Sequence, residues 1–520
     1  MDLIQKSIHM DQIKCQAGTQ ITLEDDINIT DAKPDVYQLV TEQGQIDLEE
    51  VRAMEDHVHV KGALRFRVLY ISEEEGHRPA CMEGTLPFEE RVFLDGAEAS
   101  DSVTVRTALE DLSVGMINSR KLSVQALLNL ELSVEKLVET CAAVGLEDEG
   151  LAEVRRKTLQ PLSLIIDKKD IFRVRREVEL PAGMPNIFSL LWQSCRLKEV
   201  SFKIQDEKML LQGELSLFFL YEGEGEERQT FWYETTVAIG GTVECQGMRE
   251  GMLEDIRCRI GHREIEVKAD EDGEERRIAL ELVLELDMKL YEETRIEVIS
   301  DLYGVTRQIE AVRQTGLYRR LIIRNTGKTR AGGHVRAANG VPRLQQLCGS
   351  FGWIELDKTE PSAEGLKITG AVHVQLLCTT EDPELPFYCL KGALHFSYTM
   401  ETADADGDCL YRVEPQLEQL DASLVDGEEA EVKAVLSLRG LVCRICREEM
   451  VSGVQVGELD PERLAALPGI VVYIVQDGDS LWSIGKKYYV PVECMKEMND
   501  LPGEEVKSGD KLLIVKGTGI

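Results

Sequence analysis

The chain is short of bases: 59 Lys and Arg stand against 94 Asp and Glu, a formal net charge of −35 over 520 residues. Such a surface repels phosphate backbones and anionic lipid or wall polymers, which argues against nucleic-acid binding and against a broad electrostatic grip on a membrane. Long apolar runs are missing too. The longest uncharged stretch, Leu180 to Cys195, has 16 residues and is interrupted by Pro181, Pro185, Asn186 and Gln193. That is too short to span ~30 Å of hydrocarbon. Met1-Asp2-Leu3-Ile4-Gln5-Lys6 has neither the basic start nor the apolar stretch of a secretory leader. The expectation is a soluble, cytosolic protein without membrane insertion. The 13 cysteines lack the spacing of a secreted disulfide framework, so reduced, mostly buried thiols are expected.

Catalytic patterns are equally scarce. Gly327-Lys328-Thr329 has the end of a phosphate-binding loop, but Ile322 stands where the leading glycine should be. Cys443 and Cys446 form a single C-x-x-C, half of a zinc site at most. His57 and His59 alternate on a strand edge. Asp404, Asp406 and Asp408 resemble a calcium loop, but Gly407 is misplaced for it and no glutamate closes it, which leaves a solvated turn. Neither G-x-S-x-G nor H-E-x-x-H occurs. The expectation is a non-enzyme, with no catalytic residues, no metal and no cofactor.

What is present is repetition. Three segments alternate apolar residues with one glycine: Val60-Gly62-Leu64-Phe66-Val68-Tyr70, Leu211-Gly213-Leu215-Leu217-Phe219-Tyr221 and Ile368-Gly370-Val372-Val374-Leu376-Cys378. Period-two alternation predicts a strand with one face in a core. The glycine predicts a bend, a bulge or a close backbone approach. Each glycine follows a proline by 28 residues: Pro34, Pro185 and Pro342. After each proline comes an apolar i, i+3 pair, Val36/Leu39, Ile187/Leu190 and Leu344/Leu347, which predicts a short helical turn. A further match aligns Leu109-Glu110-Asp111-Leu112, Leu253-Glu254-Asp255-Ile256 and Leu417-Glu418-Gln419-Leu420. Each copy closes on another alternating strand. The fold expected is mainly β: three antiparallel β-sandwiches or open barrels, then a small α+β tail.

The boundaries expected are repeats at 1–150, 160–303 and 304–452, a linker at 453–469 and a tail domain at 470–516. Arg155 to Asp170 reads as a linker between repeats one and two, and Asp460-Pro461 to Pro468-Gly469 as a capped mini-helix. Acidic clusters at Glu73–Glu75, 222–227 and 270–275 read as solvated hairpin loops. From Val305 to Asn339 eight bases face one acid, Glu310. Two readings stay open for that stretch: counter-charge for acidic neighbouring domains, or a patch for an acidic partner.

The tail reads strand, helix, helix, strand. Ser480 is a good N-cap, and Leu481, Ile484 and Tyr488 form one helical stripe toward a core. Trp482 and Tyr489, with Lys486 beside them, form a flank that a small core need not cover. Tyr473, Val475, Gly478-Asp479-Ser480-Leu481-Trp482, Ile484, Asn499, Gly509 and Leu512 together resemble a LysM domain, although the chain ends its motif Ile514-Val515 where that family often has Ile-Pro. The resemblance implies a groove for N-acetylglucosamine glycans between Gly478, Asp479, Ser480 and Leu481 on one side and Asn499, Asp500, Leu501 and Pro502 on the other. The proline, glycine and Leu-Tyr pattern of the repeats resembles the SPOCS domain of spore-forming bacteria; the third copy departs most, with Cys378 in place of Tyr70 and Tyr221.

Three SPOCS-like domains followed by LysM resemble SipL-type spore coat morphogenesis proteins. That implies a scaffold in the mother-cell cytoplasm, at the forespore surface and spore coat. It would dock through its tail onto the morphogenetic ATPase called stage IV sporulation protein A, alongside other spore coat proteins. Trp482, Lys486 and Tyr489 are the expected partner-binding residues, with the aromatics as anchors. The alternative is a peptidoglycan-binding protein of the wall or cortex, using the glycan groove.

Overall fold

The computed structural model describes residues 2–148, 150, 152–225, 228–402, 409–459 and 468–515. The mini-helix expected at 460–469 and the Asp404 to Asp408 turn fall largely or wholly outside the described residues. Among the described residues no helix is long and apolar enough to cross a membrane.

Repeat one comprises β1 (Leu3–Asn28), β2 (Val36–Met54), β3 (His57–Ser72), β4 (Pro79–Phe93), β5 (Val103–Asn118) and β6 (Lys121–Leu146). They form two antiparallel three-stranded sheets, β1-β6-β5 and β2-β3-β4. Alternate residues of both sheets, among them Leu64, Phe66, Tyr70, Leu128 and Leu130, meet in one core, which makes a β-sandwich. In repeat two, β7 (Ala152–Leu159) precedes β8 (Leu162–Glu179), β9 (Ile187–Gln205), β10 (Lys208–Gly223), β11 (Thr230–Glu244), β12 (Leu253–Ala269) and β13 (Glu275–Glu293), and β14 (Ile296–Gly304) follows them. Its sheets are β12-β13-β8 and β11-β10-β9, with β7 paired to β14. Repeat three comprises β15 (Gln308–Arg336), β16 (Leu344–Ser362), β17 (Gly365–Thr380), β18 (Phe387–Glu401), β19 (Cys409–Leu424) and β20 (Glu429–Gly457), in sheets β15-β20-β19 and β16-β17-β18.

Three expectations are corrected. Each proline is followed by a strand rather than a helical turn. Val36 and Leu39 share a face because the register shifts between Val36 and Gln38, and matching shifts occur in β9 and β16. A bulge inserts one residue, so i and i+3 point the same way, as they would on a helix. The stretch read as a linker, 155–170, is mostly β7 and β8. And Leu253 is not the counterpart of Leu109 and Leu417. The matching bulges follow Leu109, Ile260 and Leu417, each 47 residues beyond the strand glycine.

The strand glycines do permit a close approach. A Cβ on Gly62 or Gly370 would lie 2.6 Å from the Asp47 carbonyl or 2.3 Å from that of Glu355, opposite a bulge in the neighbouring strand. In two of the three copies a hydrogen bond ties the strand back to the proline. Tyr70 Oη donates to the Pro34 carbonyl at 3.0 Å and Tyr221 Oη to that of Pro185 at 3.2 Å. Cys378 is too short for this bond and donates to the Leu376 carbonyl instead.

The repeats pack with pseudo-threefold symmetry. Leu69, Leu220 and Leu377, each seven residues after its glycine, share one cluster with Val40, Leu191 and Cys348. Phe218 meets Phe351 edge-on at 5.1 Å across the joint of repeats two and three. Lys391 pairs with Glu42 across that of three and one. Beyond the sandwiches, the ends of β1/β6, the β7/β14 pair and the ends of β15/β20 form three ribbons. They stack around Ile8, Ala142, Val298, Tyr318 and Met450, and around Ala143, Ile299, Leu302 and Val451.

Charge locks the same joint. Asp11 of repeat one is 2% exposed. It accepts from Lys289 of repeat two at 2.9 Å, and from Arg319 and Arg412 of repeat three, the latter at 3.1 Å. Burial pushes the Asp11 carboxyl up, but Arg319, Lys289 and Arg412 outweigh it and hold the group below the usual carboxylate range. The basic stretch at 305–339 is largely β15. Among the described residues, five of its eight bases pair with acids: Arg313 with Asp301, Arg319 with Asp11, Arg324 with Glu254, Lys328 with Glu418 and Arg336 with Glu429.

Candidate functional site: the tail and the strand it sits on

The tail is β21 (Ile470–Ile474), α1 (Leu481–Tyr488), α2 (Val492–Met498) and β22 (Lys511–Val515), with β21 and β22 antiparallel. Ser480 caps α1: its Oγ accepts from Ser483 N at 3.1 Å while Ser483 Oγ accepts from Ser480 N at 2.9 Å. Leu481, Ile484, Met495, Leu512 and Ile514 fill the core, with Tyr488 packed beside them.

The residues expected to form a glycan groove are largely used to build the domain. Asp479 Oδ2 accepts from Tyr473 Oη at 2.7 Å and Gln476 N at 2.9 Å. Hydrogen bonding to Tyr473 and to the Gln476 amide holds the Asp479 carboxyl below its ordinary range. Asn499 Nδ2 donates to the carbonyls of Met495 and Leu513, both at 2.8 Å, and its Oδ1 accepts from Leu513 N at 2.6 Å. That one amide therefore staples α2 to β22. Leu481 is buried and Leu501 half-buried, while Gly478, Asp500 and Pro502 are exposed.

The flank expected to meet a partner already meets protein. Trp482 Nε1 donates to Asp301 Oδ2 at 2.8 Å, and Lys486 Nζ lies 2.8 Å from Asp301 Oδ1. Arg313 also reaches Asp301 Oδ1, at 2.8 Å. Burial raises the Asp301 carboxyl, but the bonds from Lys486 and Trp482 outweigh it and hold the group low. Two residues on, Tyr303 Oη donates to the Val490 carbonyl at 2.8 Å, and its ring meets Trp482 edge-on at 4.9 Å. A Cβ on Gly485 would lie 2.5 Å from Tyr303 Oη, so the glycine opens the notch that the phenol enters. Tyr489 sits at the C-cap of α1, half-buried, in a left-handed conformation with φ 59°.

Between Asp301 and Tyr303, Leu302 points the other way, into the ribbon core at 0% exposure. Strand alternation alone thus presents a carboxylate and a phenol to the tail and an isobutyl group to the stalk. The role of Asp301 and Tyr303 was not read from the sequence. The available signal was Gly485 inside a helix, where glycine costs about 1 kcal/mol relative to alanine and calls for a packing reason.

Elsewhere the three repeats enclose a cleft of about 1070 Å³, lined in part by Glu42, Arg196, Trp353, His373 and Lys391. Two ion pairs line it, Glu42 with Lys391 and His373 with Glu355 at 2.8 Å, while Arg196 Nη1 is buried without a hydrogen-bond partner among the described residues. Gly327-Lys328-Thr329 lies within β15, as paired strand rather than loop. The Cys443 thiol is buried, and burial pushes it up to about 12, far from a reactive thiolate.

The SipL SPOCS-domain family model matches residues 35–117 and 186–268, and the LysM-domain model matches residues 473–515. The chain carries two SPOCS domains of the SipL type and a LysM domain. No curated protein and no solved structure matches it. The SPOCS matches span β2 to β5 of repeat one, and β9 to β12 of repeat two, starting one residue before each first strand. Repeat three has the same two-sheet topology. SPOCS and LysM are non-catalytic binding or scaffold domains, and together they fit a sporulation-related scaffold with a LysM module.

Proposed function

We propose that this SPOCS–LysM chain is a non-enzymatic scaffold of the spore coat, docking through its LysM tail onto stage IV sporulation protein A at the forespore surface in the mother-cell cytoplasm. The observation that carries the reading is the occupant of the LysM flank. Trp482 and Lys486 hold a polypeptide strand, with an indole N–H and an ammonium on one carboxylate. This supports a flank suited to a protein ligand, because its residues are of the kind that anchor interfaces. The expected glycan-binding side chains Asp479 and Asn499 spend their polar atoms inside the domain. Three fused sandwiches supply a wide rigid body on which other coat proteins can assemble, and several weak contacts on one chain raise avidity.

The test is co-purification with the stage IV sporulation ATPase, comparing the full chain with one ending at residue 459. A complex that requires the tail supports the scaffold reading. Absence of a complex with either chain, together with sedimentation on purified peptidoglycan, replaces it with the glycan-binding reading.

A further inference from the structure

The LysM flank and β14 together describe a recognition rule. On the tail side stand two donors, Trp482 Nε1 and Lys486 Nζ, which converge on one carboxylate. Beside them Gly485 leaves a notch, floored by the Val490 carbonyl and walled by the Trp482 ring. On the strand side, Asp301 fills the donor pair and Tyr303 fills the notch. The i, i+2 spacing is what an extended segment needs to present both to one face. The intervening Leu302 faces away and makes no demand on the tail.

We infer that this face of the LysM domain is a reader of extended acidic–aromatic segments, Asp-x-Tyr in pattern, and that β14 occupies it in cis. The inference rests on the reading that the tail docks a protein, and it names the chemistry of what the tail takes. Each half of the site is selective for a physical reason. A carboxylate between an indole N–H and an ammonium accepts charge-assisted hydrogen bonds, whereas an amide in its place turns its own N–H toward donors. A phenol reaches the Val490 carbonyl from the notch, and an alanine leaves both the notch and the acceptor empty. A trans partner therefore competes with β14 for one seat. While β14 stays in place, the tail is closed to such a partner, because one strand fills the site.

The experiment uses the full chain and a fluorescein-labelled peptide with the sequence of residues 296–304, Ile-Glu-Val-Ile-Ser-Asp-Leu-Tyr-Gly. Binding is followed by anisotropy to the wild type and to the Asp301→Ala/Tyr303→Ala variant, whose cis strand no longer competes. The expected result is at least ten-fold tighter binding to the variant. Adding Trp482→Ala should abolish that gain, and a peptide with Asn for Asp and Ala for Tyr should bind neither chain. Equal binding of the two peptides, or equal affinity for wild type and variant, overturns the inference. If the double variant does not fold, Asp301→Asn/Tyr303→Phe keeps the shape of both side chains and should give a smaller gain of the same sign; no gain there overturns it too.

The two readings fail separately. If the ATPase co-purifies with the chain while the peptide does not bind, the Asp-x-Tyr rule falls and the docking proposal stands. If the peptide binds and the ATPase does not, the rule stands and the partner was misassigned.

Discussion

Trp482 and Asp301 are 181 residues apart in sequence and 2.8 Å apart in space. Through this bond a small domain at the end of the chain is fixed to the ribbon that closes repeat two. Lys486 and Arg313 converge on the same carboxylate, so Asp301 joins the tail, repeat two and repeat three. Hydrogen bonds to a charged group contribute roughly 1.5–3 kcal/mol. Asp301→Ala is expected to weaken the attachment by about 2 kcal/mol while leaving the tail folded. Hydrogen exchange checks this: amides of β14 should lose protection, and those of the tail core around Leu481 and Ile484 should keep it.

A second prediction concerns the buried joint. Asp11→Ala leaves the buried Arg319 without its carboxylate, and leaves Lys289 to Glu135 and Asp167 and Arg412 to Glu135 and Asp255. Breaking a buried charge cluster from one side costs roughly 3–5 kcal/mol. Urea unfolding should show that loss as one cooperative shift, because Asp11 ties repeat one to both others. The pH dependence follows from the depressed Asp11 carboxyl. Its stabilising contribution is fully present above the unfolded pKa, about 3.9, and is lost as pH falls through the lower folded value. The stability gap between wild type and Asp11→Asn should hold from pH 7 to about 5 and narrow below pH 4. A gap that widens in acid would contradict this account.

The pseudo-threefold contact leads to a third prediction. Leu220 is completely buried although it lies on the outward face of its sandwich. Truncation of a buried leucine costs roughly 2–5 kcal/mol. Leu220→Ala should therefore destabilise the chain as strongly as truncation of a sandwich-core residue such as Leu217, and a solvent-facing position would change by under 0.5 kcal/mol. Chemical denaturation of the two variants side by side decides between them.

Much of this was legible in the sequence. Period-two alternation marked the strands, and the fixed distance from proline to glycine marked the repeats. Ser480 and the Leu481/Ile484/Tyr488 stripe marked the first tail helix. Bulges defeated the rest. One extra residue makes Val36 and Leu39 imitate a helical pair, and the chance resemblance of Leu253-Glu254-Asp255 to Leu109-Glu110-Asp111 hid the true counterpart at Ile260. The joint between repeats left a trace that period-two reading discards. Val68-Leu69-Tyr70-Ile71 and Phe218-Phe219-Leu220-Tyr221 are unbroken apolar runs, as strands buried on both faces should be. The seat of Trp482 was not legible, because nothing local to Asp301 distinguishes it from the chain's many surface carboxylates.

Asn499 separates a structural role from a ligand-binding one. Its amide makes three hydrogen bonds to the backbone of α2 and β22. At about 1 kcal/mol each, Asn499→Ala should destabilise the tail by roughly 2–3 kcal/mol. The melting of the tail, followed by NMR methyl signals of Leu512 and Ile514, should fall accordingly, with no change in the unfolding of the repeats. Retained tail stability with a loss confined to glycan affinity would instead give Asn499 to a sugar site.

Gly485→Ala tests the notch itself. The added Cβ would stand 2.5 Å from Tyr303 Oη and 2.7 Å from the Val490 carbonyl, both closer than real contacts allow. Alanine normally favours a helix interior over glycine by about 1 kcal/mol, so an isolated α1 would be stabilised. Here the clash should outweigh that gain, and the attachment of the tail to β14 should weaken. Removing the phenol relieves one of the two clashes. In a double-mutant cycle, Tyr303→Ala and Gly485→Ala should therefore be less than additive, with a coupling of about 1 kcal/mol or more. Additive losses would mean that the Val490 carbonyl alone sets the requirement for glycine, and that Tyr303 enters a space that is not made for it.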